Sequence, residues 1–245
     1  MEKSKVYFIK EISPESLIKI YDALGRELKG KVAVKISTGE PGGHNFLNPN
    51  LIKDLVHKLN GTIVECNTAI VGNHLKNYDS ILILSHFKVH AMGGFGGALK
   101  NMSIGIGSSN GKANIHTAGK VKTPEELWDN LPEQDHFLES MADACKGVMD
   151  YIGRENIAYI NVANNLSVDC DCDSNPHTPE MKDLGIFASL DPVALDQACY
   201  DAVINSDDPG KAALIERMNS RHGIRAVEAA NELGLGNREY EIINF

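Results

Sequence analysis

Short strand-like runs alternate with helix-forming stretches along the first third of the chain. The runs lie at residues 6–9, 32–36, 62–66 and 80–84, and each has the length of a buried strand. Strands that alternate with helices are joined by right-handed crossovers and pair in parallel. The sequence therefore predicts an α/β fold, with a mostly parallel or mixed sheet flanked by helices.

Helix starts are marked by a capping side chain that is followed directly by proline. This pair occurs at Ser13-Pro14, Asn48-Pro49 and Asp191-Pro192. Such side chains accept hydrogen bonds from the first helical N–H groups, and proline suits the first helical position. Further strands are predicted at residues 157–162, 184–188 and 239–243 and around Ile104 and Ile106, and further helices at residues 123–151 and within 209–233.

The size of the chain bounds its organisation. With 245 residues, 42% of them hydrophobic, it can bury a sizeable core. No internal repeat or linker is evident, so we expect a single α/β domain over residues 1–245. A two-lobed body stays open as an alternative, with a cleft between residues 1–120 and 121–245.

Composition argues against several classes of partner. The formal net charge of −9 disfavours a general nucleic-acid-binding surface. No apolar run approaches the ~20 residues that cross a bilayer, and no signal peptide is recognisable. We therefore expect neither a nucleic-acid nor a membrane partner. Five cysteines without regular spacing indicate free or metal-bound thiols and a cytoplasmic location, and Cys66, Cys145 and Cys199 suit structural positions.

Two histidines follow the predicted strand at residues 80–84. His86 and His90 are four residues apart, and Lys88 shares their side if the segment is extended. Sites in open α/β sheets form beyond the carboxyl ends of such strands. The pattern predicts either a metal site, with His116 as a third ligand, or a contact with substrate. Histidines that bond only to backbone carbonyls are the structural alternative.

A glycine-rich turn comes next, and a helix could begin directly after it. Successive backbone N–H groups at such a turn can bind an anion. The dinucleotide and P-loop patterns do not fit, because Leu99 and Ala113 stand at required positions. Tight turns that need positive φ are the structural alternative. The residues predicted to bind a cofactor or anion are Gly94, Gly96, Gly97, Lys100, Asn101 and Lys112.

The segment Asp-Cys-Asp-Cys-Asp at residues 169–173 places two thiols beside three carboxylates. Neighbouring carboxylates disfavour a thiolate, so the arrangement is costly unless a cation lies close. It predicts that Cys170 and Cys172 hold a metal or iron–sulfur group, or that the segment lines a positively charged pocket. The spacing is one residue short of Cys-x-x-Cys, and a solvated acidic loop is the alternative.

Three charged residues are candidates for catalysis. Lys88 would hold or activate an anion, and Asp171 or Asp191 would orient ligands or transfer protons. Asp191 also has the position of a helix N-cap. Asp196 lies beside the apolar stripe of the same helix, where an ionised side chain is harder to explain.

Several of these segments together resemble the domain of unknown function 362 family, whose members are often described as uncharacterised proteins with an iron–sulfur centre. The resemblance is carried by residues 35–42, residues 85–90 with the glycine-rich stretch up to 101, Gly111-Lys112 with His116, Asn164-Asn165 with residues 169–172, and residues 191–196. It implies the same candidate sites and an iron–sulfur label, but no firmly assigned reaction.

One departure from that family concerns the cofactor. Many members carry ferredoxin-like Cys-x-x-Cys motifs soon after the position of His116, whereas residues 117–131 contain no cysteine. A ferredoxin-type [4Fe–4S] pair is therefore not expected. Cys170 and Cys172 cannot complete a four-cysteine cluster, so histidines or a second subunit would supply the other ligands.

The function we expect is a metal- or iron–sulfur-associated enzyme or redox protein that acts on a small anionic molecule. Zinc or iron suits mixed imidazole and thiolate ligands. The alternatives are a non-catalytic ligand-binding protein, an electron-transfer partner of another redox protein and a purely structural α/β protein. A homo-oligomer is compatible with each of these.

Overall fold

A computed structural model describes residues 2–39, 43–65, 75–171, 173 and 175–245. Cys66 and Cys172 lie outside these described residues. The strands are β1 (Ser4–Ile9), β2 (Val32–Lys35), β3 (Thr62–Val64), β4 (Ser80–His86), β5 (Lys88–His90), β6 (Gly94–Gly96), β7 (Ile157–Ala163), β8 (Gly185–Ser189) and β9 (Tyr240–Asn244). The helices are α1 (Pro14–Ala23), α2 (Pro49–Lys58), α3 (Ala98–Ser103), α4 (Ser109–His116), α5 (Gln134–Ile152), α6 (Pro192–Ile204), α7 (Lys211–Ser220) and α8 (Arg225–Glu232).

The main sheet is mixed, and one strand accounts for the mixture. Its order is β3-β2-β4-β7-β8-β1-β9. Strand β8 is antiparallel to both of its neighbours, β7 and β1, and the other pairs in the described sheet are parallel. All of these strands except β8 therefore run in the same direction. The prediction of an α/β fold with a mostly parallel or mixed sheet is confirmed.

Helices cover both faces of the sheet. Ile81 and Ile83 of β4 pack into a cluster with side chains of α3, α5 and α6. Leu82 and Leu84 pack on the other face with side chains of α1 and α2. A strand that is buried on both faces has a continuous apolar sequence, which explains the strong signal at this strand. Among the described helices, none combines the length and apolar character needed to cross a bilayer.

The predicted helix starts are confirmed. Ser13, Asn48 and Asp191 each accept a hydrogen bond from a backbone N–H group in the first turn of α1, α2 and α6, respectively. Each cap is followed by proline at the first helical position. These signals succeed because capping depends on neighbouring residues only.

The strand predicted around Ile104 and Ile106 is wrong. Ile104 is the C-cap of α3, and the N–H group of Ile106 donates to the backbone oxygen of Ser103 in the turn that follows. Leu99, Met102 and Ile106 are spaced i, i+3 and i+7, and all three pack in the main core cluster. The apolar residues of this stretch therefore follow the helical period. The two isoleucines also have the two-residue spacing of a strand, which is why the sequence predicts one.

The long helix predicted at residues 123–151 begins later than expected. Only a short 3-10 turn, Pro124–Glu126, forms at its start, and α5 runs over Gln134–Ile152. Pro132 explains the delay, because proline lacks the N–H group that a helix interior needs.

Candidate functional site

The candidate site lies where β4 ends. His86 is the last residue of β4, and β5 then pairs with β6 as an antiparallel hairpin that leads directly into α3. Because β2, β4 and β7 run in the same direction, this hairpin stands beyond the carboxyl ends of three neighbouring strands. This is the edge at which open α/β sheets bind ligands.

A cavity of about 510 Å³ opens at this edge of the sheet, a size that suits a small molecule. The charged residues of its described lining are Lys88, Lys100, Lys112, Glu65 and Asp171. The other lining residues are Ser37, Gly39, Ser85, His86, Val89, His90, Ala91, Met92, Gly96, Gly97, Asn101, Ile104, Gly105, His116, Trp128 and Cys170. The structure thus brings most of the predicted site residues together in one cavity.

A buried carboxylate, that of Asp171, joins two of the predicted site residues. Its Oδ2 lies 2.8 Å from His86 Nδ1, and its Oδ1 lies 2.8 Å from Lys88 Nζ. Burial raises the pKa of Asp171, but the hydrogen bond from His86 and the charges of His86 and Lys88 outweigh burial and lower that pKa overall. Asp171 is therefore ionised at neutral pH and is the counter-ion of Lys88.

Both ring nitrogens of His86 face oxygen acceptors. Besides the contact with Asp171, Nε2 lies 2.6 Å from the backbone oxygen of Asn164. The ring thus ties the loop after β7 to the end of β4. Both ring nitrogens are therefore already engaged with oxygen atoms of the protein.

His90 accepts hydrogen bonds where a metal ligand would need a lone pair. Its Nδ1 accepts from the backbone N–H groups of Met92 and Gly93, at 3.1 and 3.0 Å. The ring proton is therefore on Nε2. Burial and the charge of Lys100 lower the pKa of His90 well below its usual range, so the ring is neutral at pH 7.

His116 has the opposite tautomer. Its Nδ1 donates to the backbone oxygen of Lys112 at 2.7 Å, which leaves the lone pair on Nε2. The ring stacks on Phe137, with the ring centres 5.2 Å apart. Burial lowers the pKa of His116, although the hydrogen bond to Lys112 opposes this. The cavity therefore contains one neutral histidine with a proton on Nε2 and another with a lone pair there.

Lys100 of α3 has an unusual charge environment. Burial first, and then the charges of Lys35 and Lys112, lower its pKa to about 8, although Asp171 and Glu65 favour its protonated form. Within the described part of the chain, its amine has no carboxylate at ion-pair distance and no hydrogen-bond acceptor. In contrast, Lys88 has Asp171 as its counter-ion.

The glycine-rich turn already binds a carboxylate that belongs to the protein. Asp196 of α6 accepts hydrogen bonds from the N–H groups of Ala98 and Leu99, at 2.8 and 2.9 Å, and from the Asn161 amide at 2.8 Å. A side chain at Gly97 would collide with the Asp196 carboxylate. The anion-binding turn that the sequence predicts therefore exists, but an internal anion fills it.

The remaining residues of the predicted cofactor loop differ in position. Gly94 has φ +75° and packs against the backbone of Gly223, outside the cavity lining. Gly96 leaves room for the Lys100 stem. The Asn101 amide donates to the backbone oxygens of Lys35 and Leu84 and to the Ser85 hydroxyl, so it fastens α3 to the strand ends.

Asp191 is not part of this cavity. It follows β8, and because β8 runs against its neighbours, Asp191 lies at the opposite edge of the sheet. There it caps α6 and accepts hydrogen bonds from the Ser4 hydroxyl and the Asn237 N–H group, at 2.7 and 2.8 Å. Its position is that of a structural cap.

The described cysteines do not offer thiolates to the cavity. Cys170 lines it but is disulfide-bonded, which differs from the expected free or metal-bound thiol. Cys145 and Cys199 are free and fully buried, and burial raises the pKa of both thiols. The prediction for Cys172 falls outside the described residues.

These contacts do not fit the predicted metal or iron–sulfur site. Both nitrogens of His86 contact oxygen atoms of the protein, and Nδ1 of His90 accepts two hydrogen bonds. Across residues 2–39, 43–65, 75–171, 173 and 175–245, no group of three His, Cys, Asp or Glu side chains is arranged to hold a metal ion. Metal and cluster binding therefore stay predictions from sequence.

Sequence reasoning did not select Glu65 or Trp128, and it left the role of Asp196 unexplained. Glu65 and Trp128 line the cavity, and Asp196 fills the glycine-rich turn. Trp128 is 69% exposed, which is unusual for so large an apolar side chain, and it is the only tryptophan in the chain. The available signal for Asp196 was a carboxylate beside an apolar helical stripe, because a buried acid requires partners.

Fold and site together define an α/β protein with a lysine-lined cavity beyond the carboxyl ends of a nearly parallel sheet. A family model described as Domain of unknown function (DUF362) matches residues 64–201, which is more than half of the chain. The chain therefore belongs to this family, as the sequence motifs predict. No curated protein and no solved structure matches the chain.

Proposed function

We propose that the protein is an enzyme that binds a small anionic molecule in the 510 Å³ cavity and acts on it there. One observation carries the proposal. The described lining has three lysines against two carboxylates, in a chain whose net charge is −9. Positive charge is thus concentrated locally, where surrounding protein strengthens its attraction for an anion.

Lys100 is the observation that favours an enzyme over a non-catalytic binding protein. A binding site needs only a fixed cation, whereas a buried amine with a strongly lowered pKa is typical of catalytic sites. Lys88, held by Asp171, then orients the anion. The metal-dependent, redox and cytoplasmic expectations stay predictions, and the described residues supply no metal-ligand set that would extend them.

Isothermal titration with pyruvate and with inorganic phosphate, two small anions of different shape, tests the proposal. We expect one site for at least one probe, with affinity that falls as ionic strength rises. The K112M variant should lose about tenfold in affinity, and K112R should retain most of it. The K146M variant removes an exposed lysine of α5 that pairs with Asp150, so it is the matched control. Absence of binding for both probes, or equal affinity in K112M and the wild type, would overturn the proposal.

A further inference from the structure

The stem of Lys100 lies against Gly96, and within the described residues its amine has no counter-ion at ion-pair distance. Its side chain crosses Gly96, where a Cβ atom would come within 3.0 Å of Lys100 Cδ. A glycine at this position therefore gives the lysine its path along the hairpin. Among the described residues, the amine meets neither a hydrogen-bond acceptor nor a carboxylate, so its charge is not used in an ion pair with any of them.

The neutral form of this amine is accessible at ordinary pH. A pKa of about 8 leaves about a tenth of Lys100 neutral at pH 7 and about half at pH 8. Only the neutral amine has the lone pair of a nucleophile. Lys35 and Lys112 contribute by repelling the charged form, so the lysines act together.

Two of the histidines that line the cavity, His90 and His116, have the groups for the proton transfers that amine chemistry needs. The hydrogen bonds described above place a proton on Nε2 of His90 and a lone pair on Nε2 of His116. Both rings interact electrostatically with Lys100. A donor and an acceptor thus accompany the amine in one cavity.

We propose that Lys100 Nζ forms an imine with its substrate, so that the cavity takes a small oxo acid, which combines a carboxylate with a carbonyl group. The lone pair of Nζ attacks the carbonyl carbon, and the carbonyl oxygen gains a proton to give a carbinolamine. Nζ then loses a proton, the hydroxyl group takes up a further proton and leaves as water, and the C=N bond forms as a protonated imine. Loss of the remaining proton from Nζ gives the neutral imine. Amine and carbonyl give imine and water, with no oxidation or reduction.

This inference rests on the proposed function and adds the class of substrate. The positive charge of the cavity attracts the carboxylate of the oxo acid. The carbonyl carbon is the atom that the Lys100 amine attacks. Lys88, which Asp171 holds, and Lys112 are the other lysines of the described cavity lining, and they add positive charge for that carboxylate. An anion without a carbonyl group would bind but would not react.

Reductive trapping tests the imine directly. The full-length protein is incubated with pyruvate and sodium cyanoborohydride at about pH 8, where half of Lys100 is neutral. Cyanoborohydride delivers hydride to the C=N bond and makes the adduct permanent. We expect one reduced adduct per chain by intact mass, and peptide mapping should place it on Lys100.

Two variants separate this inference from anion binding. K100R keeps a cation but has no nucleophilic amine, so it should bind pyruvate in calorimetry and give no adduct. The exposed-lysine variant K146M should give the wild-type adduct. Circular dichroism confirms that K100R is folded, and K100Q replaces it if it is not.

Each outcome has a definite meaning. Wild-type binding of pyruvate without an adduct on Lys100 would overturn the imine and leave the anion site intact. Adducts spread evenly over surface lysines, or an unchanged adduct in K100R, would also overturn it. Absence of anion binding altogether would instead contradict the proposed function.

Discussion

Asp171 is the residue on which the charge balance of the cavity depends. It is the counter-ion of Lys88, whose exposed fraction is only 3%. Removal of one partner leaves the other charge buried and uncompensated. The resulting loss in the free energy of unfolding is far larger than the net stabilisation that the ion pair provides. Asp171 therefore stabilises the lining of the cavity. It also offsets part of the positive charge that a bound anion would meet.

The D171N variant should unfold at lower denaturant concentration. We expect a loss of about 3 kcal/mol in the free energy of unfolding, because Lys88 loses its counter-ion. Urea denaturation followed by circular dichroism measures this loss. The matched control is D173N, which changes an exposed carboxylate of the same segment and should stay within about 0.5 kcal/mol of the wild type. Equal losses in the two variants would contradict the buried pair.

The same carboxylate predicts the response to acid. The pKa of Asp171 is lowered in the folded protein, so its contribution to stability is present above the ordinary value of about 4 and is lost as pH falls through the folded value. The wild type should therefore lose stability below about pH 4 more steeply than D171N does. Urea midpoints measured from neutral to acid pH test this, and parallel profiles would contradict it.

Single residues were the most predictable part of the site, but their partners were not. His86, Lys88 and Asp171 stand out in sequence because imidazole, amine and carboxylate groups follow strands and glycines. The sequence does not show that 85 residues fold back to place Asp171 against His86. It also does not show that both nitrogens of His86 contact oxygen atoms of the protein.

At the scale of elements, α3 depends on a carboxylate from another helix. Its glycine N-cap has no side chain to accept from the first helical N–H groups. Asp196 of α6 supplies that acceptor and also receives the Asn161 amide. This contact holds the short helix that carries Lys100 and Asn101 against the body of the protein.

The D196A variant should therefore loosen α3. Three buried donors would lose their acceptor, and we expect a loss of at least about 3 kcal/mol in the free energy of unfolding. The D143A variant on the exposed side of α5 is the control and should be close to neutral. Hydrogen exchange should show faster exchange at Ala98 and Leu99 in D196A. Unchanged protection at these two amides would contradict the assignment.

Elements were predictable where the signal is local. The caps at Ser13, Asn48 and Asp191 depend on a few neighbouring residues, and all three form. The strand prediction at Ile104 and Ile106 failed because two alternating isoleucines fit a strand as well as a helical turn. Packing against the sheet decided between the two periods, and packing is not a local property.

At the scale of the whole molecule, the direction of β8 organises the site. Because β8 runs back along β7, the connection between them stays at the carboxyl edge of the sheet and brings Asp171 to the cavity. The same reversal carries Asp191 to the far edge. The alternation of strands and helices predicts the sheet, but it does not reveal which strand reverses, so Asp171 and Asp191 looked equivalent in sequence.

The metal content of the whole protein is the remaining point to test. If the hydrogen bonds of His86 and His90 hold in solution, the wild type and the H86A/H90A variant should show the same zinc and iron content by elemental analysis after anaerobic purification. A stoichiometric metal that the double variant loses would restore these histidines as ligands. It would also require both rings to exchange their present hydrogen bonds.

Trp128 stands in the wall of the cavity, yet most of its indole faces water. A molecule that binds in the cavity beside Trp128 displaces water from the indole ring. The polarity around the excited indole then changes, and so does its fluorescence. Since the sequence contains no second tryptophan, the tryptophan emission of the chain comes from this one place. The protein thus carries its own unlabelled optical reporter for screening candidate ligands.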